Sequence, residues 1–377
     1  MRIAVFYHLG FGGAKRVVQE HVKGLVSLGH TVDLYSTEKE NDIFDPGRYA
    51  DSEHIYPFTV SANTIPFLGR VKKDFDIFYR LKKLHEKIAL DIDKRKYDIV
   101  LVHTDSFTQA PFILRFLKTK KVYFCLEPLR IVYEYSLKTP DSFNFINKLY
   151  ESYTRMLRKK NDQENARSSD NTLAISLFGR EYIILAFDLY PKISYLGVDE
   201  KLFHPIKIKK KKQVLFVAEK EKIYGYDLAK KAMELIPKEK RPELKILFGT
   251  KKEQRISDAE IVKAYNESIL VLSLSRFDTF GLIPLEAMAC GVPVIALNVA
   301  GYKETVLANK AGFLVDFDPK EIAEKIMFYI THPNTAVHMG KEGRKWVEET
   351  WTWKKQIKKL EHYLQNLATN KELSDTD

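Results

Sequence analysis

The chain alternates between short apolar runs and helical segments, and the alternation restarts part-way along its 377 residues. The run from Ile3 to Tyr7 predicts a buried strand, residues 10–13 a glycine loop, residues 14–28 a helix, and Thr31 to Ser36 a second strand. This βαβ order requires a parallel sheet with the loop at the carboxyl end of a strand. The same order begins again at Gln213. The sequence therefore predicts an α/β protein with two parallel-sheet domains.

Composition excludes several classes of protein. Hydrophobic residues make up 45% and charged residues 29% of the chain, as in soluble globular proteins. No apolar run is long enough to cross a bilayer, and the first strand begins at the N-terminus, so we expect no signal peptide. The two cysteines, Cys125 and Cys290, lie in apolar segments without metal-site spacing, which favours a reducing cytoplasm without disulfides.

The net charge of +11 indicates a negatively charged partner. Nucleic acid is disfavoured, because the lysines are dispersed and no nucleic-acid module is recognisable. Residues 69–96 interleave ten cationic residues with aromatic and leucine side chains. That pattern favours peripheral contact with an anionic membrane, but it also fits a surface helix with lysines in water and aromatics in the core. Both interpretations stay open, whereas the run from Lys207 to Lys212 is typical of a solvated linker.

One run carries most of the functional signal: Ser275-Arg-Phe-Asp-Thr-Phe-Gly-Leu-Ile-Pro-Leu-Glu-Ala-Met-Ala-Cys-Gly-Val-Pro-Val-Ile295. It predicts a strand end, a loop, a helix opening near Pro284 and a strand from Pro293 to Leu297. The backbone N–H groups of Gly281 and Leu282 would lie near the helix start, where an anion is favoured. The carboxylates of Asp278 and Glu286 could accept sugar hydroxyls. This combination suits a nucleotide-sugar.

The run resembles the signature of the large retaining GT-B glycosyltransferase family, with Asp278 where a glutamate is usual. The resemblance implies two Rossmann-like domains facing each other across a cleft. It implies hexosyl transfer from a UDP- or GDP-sugar to a glycan or lipid-linked acceptor, with retention of configuration and without a metal or other cofactor. Asp278 would contact the transferred sugar and Glu286 the ribose. The remaining donor contacts would be Thr279, Phe280, Gly281 and Leu282.

The resemblance also sets the predicted domain limits. Residues 1–196 would form the acceptor-side domain, 197–212 a linker and 213–353 the nucleotide-sugar domain. A closing helix at about 354–368 would pack back on the first domain, and 369–377 would be a disordered tail. Gly12 and Gly13 resemble the first loop of the family, which faces the cleft. We expect the protein in the cytoplasm, with possible attachment to the inner membrane face.

The loop after Gln213–Ala218 departs from the family pattern. Glu219 and Tyr224 stand where the family has the arginine and lysine that hold the donor diphosphate. Lys220 and Lys222 are the nearest cations and would have to replace them. An arginine fork and a displaced lysine are not equivalent, so the stabilisation of the leaving group is in question.

A second departure lies at Leu126, where related transferases have a histidine near the reacting carbon of the sugar. Leucine donates no hydrogen bond. Glu127 keeps its place and is a catalytic candidate. His103, at the end of a predicted strand from Tyr97, is a further candidate, although a histidine in that position is more often structural.

Two classes of function remain open. In the first, the chain is a working transferase in which the leaving diphosphate takes the proton of the acceptor on the same face. In the second, it is a catalytically silent binding or partner subunit with a degenerate phosphate site. The intact signature favours the enzyme, and the three departures favour the subunit. A sugar phosphorylase or nucleotide-sugar epimerase on the same fold is a weaker third hypothesis.

Overall fold

The computed structural model describes residues 1–37, 43–61, 66–133, 145–218, 221–248 and 256–370. Within these ranges no helix is both long and apolar enough to cross a membrane. The chain divides into two compact units. The first contains residues 1–175, 180–194 and 357–377, and the second contains residues 176–179 and 195–356. Each unit is built on its own parallel sheet.

The first unit has a seven-stranded parallel sheet in the order β3-β2-β1-β4-β5-β6-β7. Its strands are, in chain order, β1 Arg2–His8, β2 Thr31–Ser36, β3 Ser52–Ile55, β4 Ile99–Asp105, β5 Lys121–Cys125, β6 Asn171–Ala174 and β7 Lys192–Ile193. The central strands read as apolar runs because helices cover both faces of a parallel sheet. All seven residues of β4 are buried.

Helices connect these strands. They are α1 Gly13–Ser27, α2 Pro66–Phe75, α3 Lys82–Lys94, α4 Arg130–Tyr133, α5 Phe145–Arg167 and α6 Leu177–Phe187. A π-helical turn, Asp76–Leu81, joins α2 to α3. The core of the unit packs strand residues such as Phe6 and Val102 against Ile88 and Ile92 of α3.

The second unit has a five-stranded parallel sheet in the order β12-β11-β10-β8-β9. Its strands are β8 Gln213–Val217, β9 Glu243–Leu247, β10 Leu270–Ser273, β11 Val294–Leu297 and β12 Gly312–Val315. Its helices are α7 Tyr226–Leu235, α8 Asp258–Glu267, α9 Leu282–Ala289, α10 Tyr302–Thr305, α11 Pro319–Thr331 and α12 Pro333–Thr350. The last helix, α13 Trp353–Ala368, begins in this unit and ends in the first.

The end of α13 is held by the first unit. Glu361 Oε1 lies 2.7 Å from His30 Nε2. The Lys120 ammonium group donates to the carbonyl oxygen of Leu367 at 2.6 Å. A side chain on Gly24 of α1 would collide with Ile357, so α1 and α13 pack closely there. The domain limits predicted from the sequence stay a prediction, and the tail beyond residue 370 lies outside the described residues.

The predicted α/β fold with two parallel sheets is confirmed, and small shifts concern element ends. The helix expected near Pro284 begins at Leu282, and the strand expected from Tyr97 begins at Ile99. The interpretation that placed the aromatics of residues 69–96 in the core is wrong for Phe75 and Tyr79, which are exposed. The buried side of this helical stretch carries Asp74, Ile77 and Leu81 at helical spacing, and Phe75 and Tyr79 lie outside that row.

Candidate functional site

The strand order of the second unit places two loops side by side. The chain runs β8, β9, β10, but β10 lies next to β8 on its other edge, so the connections diverge between β8 and β10. In open parallel sheets, ligands bind outside the carboxyl ends of the strands at such a point. The loop after β8 leads to Gly225, and the loop after β10 leads to Gly281. These are the two loops that the sequence predicted for donor binding.

Gly225 shows how closely these loops approach each other. It lies in the left-handed region with φ +81°, and a Cβ there would be 2.1 Å from the carbonyl oxygen of Leu274. Both facts require glycine. Lys222, on the short turn before Gly225, is exposed, and Tyr224 is half-buried. Glu219 and Lys220 lie outside the described residues.

Asp278 organises the loop after β10. Its Oδ1 accepts hydrogen bonds from the backbone N–H of Phe280 at 3.1 Å and of Gly281 at 2.8 Å. The expectation that the Gly281 N–H faces an anionic ligand is therefore wrong, because the carboxylate of Asp278 already takes that donor. A short acidic side chain commonly bonds to the backbone two or three residues ahead of it.

Tyr302 is a site residue that sequence reasoning missed. Its buried hydroxyl donates to Asp278, and burial, followed by the negative charge of that carboxylate, raises the tyrosine pKa well above its ordinary value. The ring also lies against Gly281, whose φ is +98° and where a Cβ would be 2.9 Å from Tyr302 Cδ1. Gly281 is thus required for packing against Tyr302. The loop from Ala300 was visible in the sequence, but nothing in it marked a tyrosine that reaches back to Asp278.

Glu286 lies on α9 and is buried. Its Oε2 accepts the hydroxyl of Tyr265, from α8, at 2.8 Å. The carboxylate therefore has a structural partner in addition to any ligand. Nothing in the sequence pointed to Tyr265, because it lies on a different helix.

The other predicted donor contacts divide into packing residues and edge residues. Phe280 packs against Tyr195 and Trp351, with ring centroids at 6.3 and 5.5 Å, and is almost fully buried. Thr279 is buried, and its carbonyl oxygen accepts the hydroxyl of Ser176 at 2.5 Å. Leu282, at the start of α9, is half-buried. The structure brings Asp278, Gly281 and the start of α9 together, whereas Phe280 belongs to the core.

The first unit has a comparable edge between β1 and β4, where its strand order also diverges. Gly12 and Gly13 follow β1, and a Cβ on either would meet no atom within 4 Å. A ligand can therefore approach the backbone closely at this loop. Glu127 follows β5, is half-buried, and its carbonyl oxygen accepts the amide of Gln109 at 2.9 Å.

His103 does not reach this edge. It is fully buried on β4, its Nε2 lies 3.3 Å from Nδ1 of His21, and its ring packs against Phe124. Burial lowers its pKa to about 3, so the imidazole is neutral near pH 7. The hypothesis of a catalytic His103 is therefore corrected in favour of the structural role, because a group without solvent access cannot touch a substrate.

Three other buried residues have ligand atoms within 4.8 Å of one another: His8, His85 and Asp105. His8 Nδ1 and Asp105 Oδ2 are 2.8 Å apart, which is a hydrogen-bond distance. Two ligands on a tetrahedral zinc ion would be about 3.3 Å apart, given metal–nitrogen distances of about 2.0 Å. The pair is therefore arranged as a hydrogen bond, and the expectation that no metal takes part stays a prediction.

Two protein-family models match this chain. The model described as Glycosyltransferase Family 4 matches residues 11–202, which is half of the chain, and the model for glycosyl transferases group 1 matches residues 249–346. The chain belongs to glycosyltransferase family 4. The resemblance stated from the run after β10 is thereby confirmed, and so is the GT-B class of fold.

Solved structures agree with that fold. This family 4 chain is similar to the sucrose-phosphate synthase of Thermosynechococcus elongatus, with a TM-score of 0.72 and 18% identity over 98% of this chain and 100% of that chain. It is also similar to Anabaena Alr3699/HepE in complex with UDP, with a TM-score of 0.70 and 16% identity over 97% of this chain and 100% of that chain. At these identities the likeness shows the fold alone.

A curated relative is closer in sequence but only locally. The GDP-mannose-dependent alpha-(1-6)-phosphatidylinositol monomannoside mannosyltransferase of Mycobacterium tuberculosis (strain CDC 1551 / Oshkosh) is 41% identical over 85 residues. The match spans 22% of the family 4 chain and 22% of that relative. The similarity therefore covers about a fifth of the curated relative's length.

Proposed function

We propose that the chain is a retaining glycosyltransferase that moves a hexosyl group from a nucleotide-sugar to a glycan or lipid-linked acceptor. The observation that carries the proposal is the junction of the loops after β8 and β10. It gathers Asp278 and the start of α9 at the carboxyl edge of one sheet, with Glu286 one turn into the helix. Carboxylates at this edge suit the hydroxyls of a sugar nucleotide.

The two carboxylates bind different parts of the nucleotide-sugar in this proposal. Glu286 accepts hydroxyls of the ribose, and Asp278 accepts a hydroxyl of the transferred sugar. The hydroxyl of Tyr302 and the backbone N–H groups of Phe280 and Gly281 hold the Asp278 carboxylate in one orientation. Such fixed orientation favours interactions that strengthen in the transition state.

The leaving diphosphate needs positive charge beside it. Lys222 is exposed immediately before α7, whose first N–H groups lie at the same edge of the sheet. A cation and a helix N-terminus both stabilise a developing phosphate charge. We propose that Lys222, with Lys220, supplies this charge, that the diphosphate takes the proton of the acceptor, and that no metal or other cofactor takes part.

The comparisons supply the first donors to test. The mycobacterial relative is named as GDP-mannose-dependent, and the Anabaena structure holds UDP. GDP-mannose and UDP-glucose therefore lead a panel of nucleotide-sugars. We propose a cytoplasmic protein in which peripheral membrane contact brings it to a lipid-linked acceptor.

A thermal-shift panel tests donor binding. A ligand at a hundred times its dissociation constant stabilises the folded state by about 2.7 kcal/mol, which is a measurable shift. We expect one nucleotide-sugar to raise the melting temperature and its nucleoside diphosphate to do so as well. Release of nucleoside diphosphate from the selected donor then measures turnover. No shift with any member of the panel would contradict the proposal.

The silent-subunit alternative rests on a specific observation. The N–H of Gly281 is used by Asp278, and a hydrophobic residue, Leu126, stands in place of the family histidine. A subunit of this kind would lack turnover with every donor. Turnover that depends on Asp278 would exclude it.

A further inference from the structure

Side-chain hydrogen bonds join helices α2 and α5 of the first unit, and we call these bonded residues the polar seam. Arg70 donates to Glu151 at 2.6 Å, and Tyr150 and Arg158 donate to Asp74 at 2.7 and 2.9 Å. On α5 these partners cover more than two turns, from Tyr150 to Arg158, whereas on α2 they are one turn apart. The seam fixes which side of each helix faces its neighbour.

Large apolar side chains lie beside this seam on both helices and are exposed to solvent. The row on α2 and the following turn is Phe67, Leu68, Val71, Phe75 and Tyr79, and the row on α5 is Phe145, Ile146, Leu149, Tyr153 and Met156. Their spacing of three or four residues gives one continuous face on each helix. Phe145 is 80% and Leu149 63% exposed, so most of each apolar side chain is in contact with water.

The row on α2 reaches α5, because the ring of Phe67 packs against the ring of Tyr150 with centroids 5.3 Å apart. On α2, Val71 and Phe75 come one residue after the seam residues Arg70 and Asp74. On α5, Leu149 comes one residue before Tyr150. A step of one residue turns about 100° around a helix, so on each helix the apolar row lies beside the seam and not within it. We call the exposed apolar residues of the two rows together the α2–α5 face.

The exposed charged side chains around the α2–α5 face are positive. Residues 66–81 and 145–160 contain nine cationic and three acidic residues. All three acids, Asp74, Asp76 and Glu151, are buried and paired with arginines. Lys72, Lys73, Lys148, Lys159 and Lys160 are exposed. The surface offered to a partner is therefore apolar at its centre and cationic at its edge.

We infer that the α2–α5 face docks on a phospholipid bilayer that carries anionic head groups. Aromatic and leucine side chains enter the boundary between head groups and acyl chains, while lysines beside them attract anionic lipid. A second copy of the chain is a poorer occupant, because two faces of the same positive charge repel each other. The inference rests on the proposed function only where it brings the protein to a lipid-linked acceptor.

Vesicle co-sedimentation tests the inference with the full chain. Vesicles of phosphatidylcholine are compared with vesicles that also contain phosphatidylglycerol, at low and high salt. We expect sedimentation with the anionic vesicles, weakened by salt. Phe75→Ser with Leu149→Ser should lower the partition coefficient at least about tenfold, because two exposed apolar anchors are removed.

A matched control uses apolar residues elsewhere in the first unit. Leu185 and Tyr190 are 84% and 81% exposed, so Leu185→Ser with Tyr190→Ser removes similar apolar area outside the α2–α5 face. The control should keep the vesicle binding of the parent. Equal loss in both variants, or no sedimentation of the parent with anionic vesicles, would overturn the inference.

Two further readouts separate the possible failures. A parent dimer that becomes a monomer on Phe75→Ser with Leu149→Ser would assign the α2–α5 face to a second copy and overturn the lipid proposal. Thermal shift with the selected nucleotide-sugar should be unchanged in that variant. Donor binding without vesicle binding would overturn this inference alone, whereas vesicle binding without donor binding would overturn the proposed function alone.

Discussion

At the scale of single residues, Asp278 combines a structural and a proposed chemical role. Its Oδ1 holds the turn that leads into α9 through the N–H groups of Phe280 and Gly281. An asparagine keeps an acceptor oxygen for those donors but removes the charge. The substitution can therefore separate the chemical role from the structural one.

We predict that Asp278→Asn lowers donor turnover at least about tenfold, while the affinity for the bare nucleoside diphosphate changes by less than about twofold. The reason is that Asp278 is assigned to the transferred sugar, which the diphosphate lacks. Steady-state kinetics and calorimetric titration measure the two quantities. Equal losses in both would place Asp278 on the nucleotide.

Glu286 has a different pair of roles, since its carboxylate holds the Tyr265 hydroxyl and is assigned to the ribose. We predict that Glu286→Gln weakens nucleoside diphosphate binding at least about tenfold, because hydrogen bonds to a charged acceptor contribute about 1.5–3 kcal/mol. Tyr265→Phe is the control, since it removes the same internal bond and leaves the carboxylate in place. It should lower stability by about 1 kcal/mol and leave the affinity nearly unchanged. A comparable loss of affinity in Tyr265→Phe would show that Glu286 acts through packing.

At the scale of elements, the junction of the loops after β8 and β10 depends on Gly225. We predict that Gly225→Ala destabilises the protein by at least about 2 kcal/mol, because its Cβ would meet the Leu274 backbone at 2.1 Å and its φ is positive. Gly13→Ala is the control, because a Cβ there meets nothing within 4 Å. It should change stability by less than about 1 kcal/mol. Urea unfolding at constant ligand concentration measures both, and equal stability of Gly225→Ala and the parent would refute the packing account.

The elements themselves were largely predictable from the sequence. Apolar runs such as Leu270–Ser273 and the Asp318–Pro319 helix start reveal strands and helices because burial and capping act locally. Contacts between distant segments could not be read in the same way. Tyr302 reaches Asp278 and Tyr265 reaches Glu286 only because the fold brings separate elements together, and His103 is buried by helices that its own strand does not specify.

At the scale of the whole molecule, the chain has two parallel-sheet units and belongs to glycosyltransferase family 4. It departs from the family pattern at Glu219, Tyr224 and Leu126. An enzyme with these departures needs other cations beside the donor diphosphate. Lys222 is exposed beside Gly225, and Lys220 precedes it in the sequence. A silent subunit would have no such requirement, so the two lysines distinguish the alternatives.

The most direct test is the release of nucleoside diphosphate by the full chain from the nucleotide-sugar that the panel selects. We predict measurable turnover in the parent and a loss of about a hundredfold or more in the double variant Lys220→Ala, Lys222→Ala, as expected when charge partners of a leaving group are removed. Glu219→Arg with Tyr224→Lys should tighten donor binding. A parent without turnover on any common nucleotide-sugar, together with unchanged donor binding in the double alanine variant, would contradict the enzyme and establish a silent subunit.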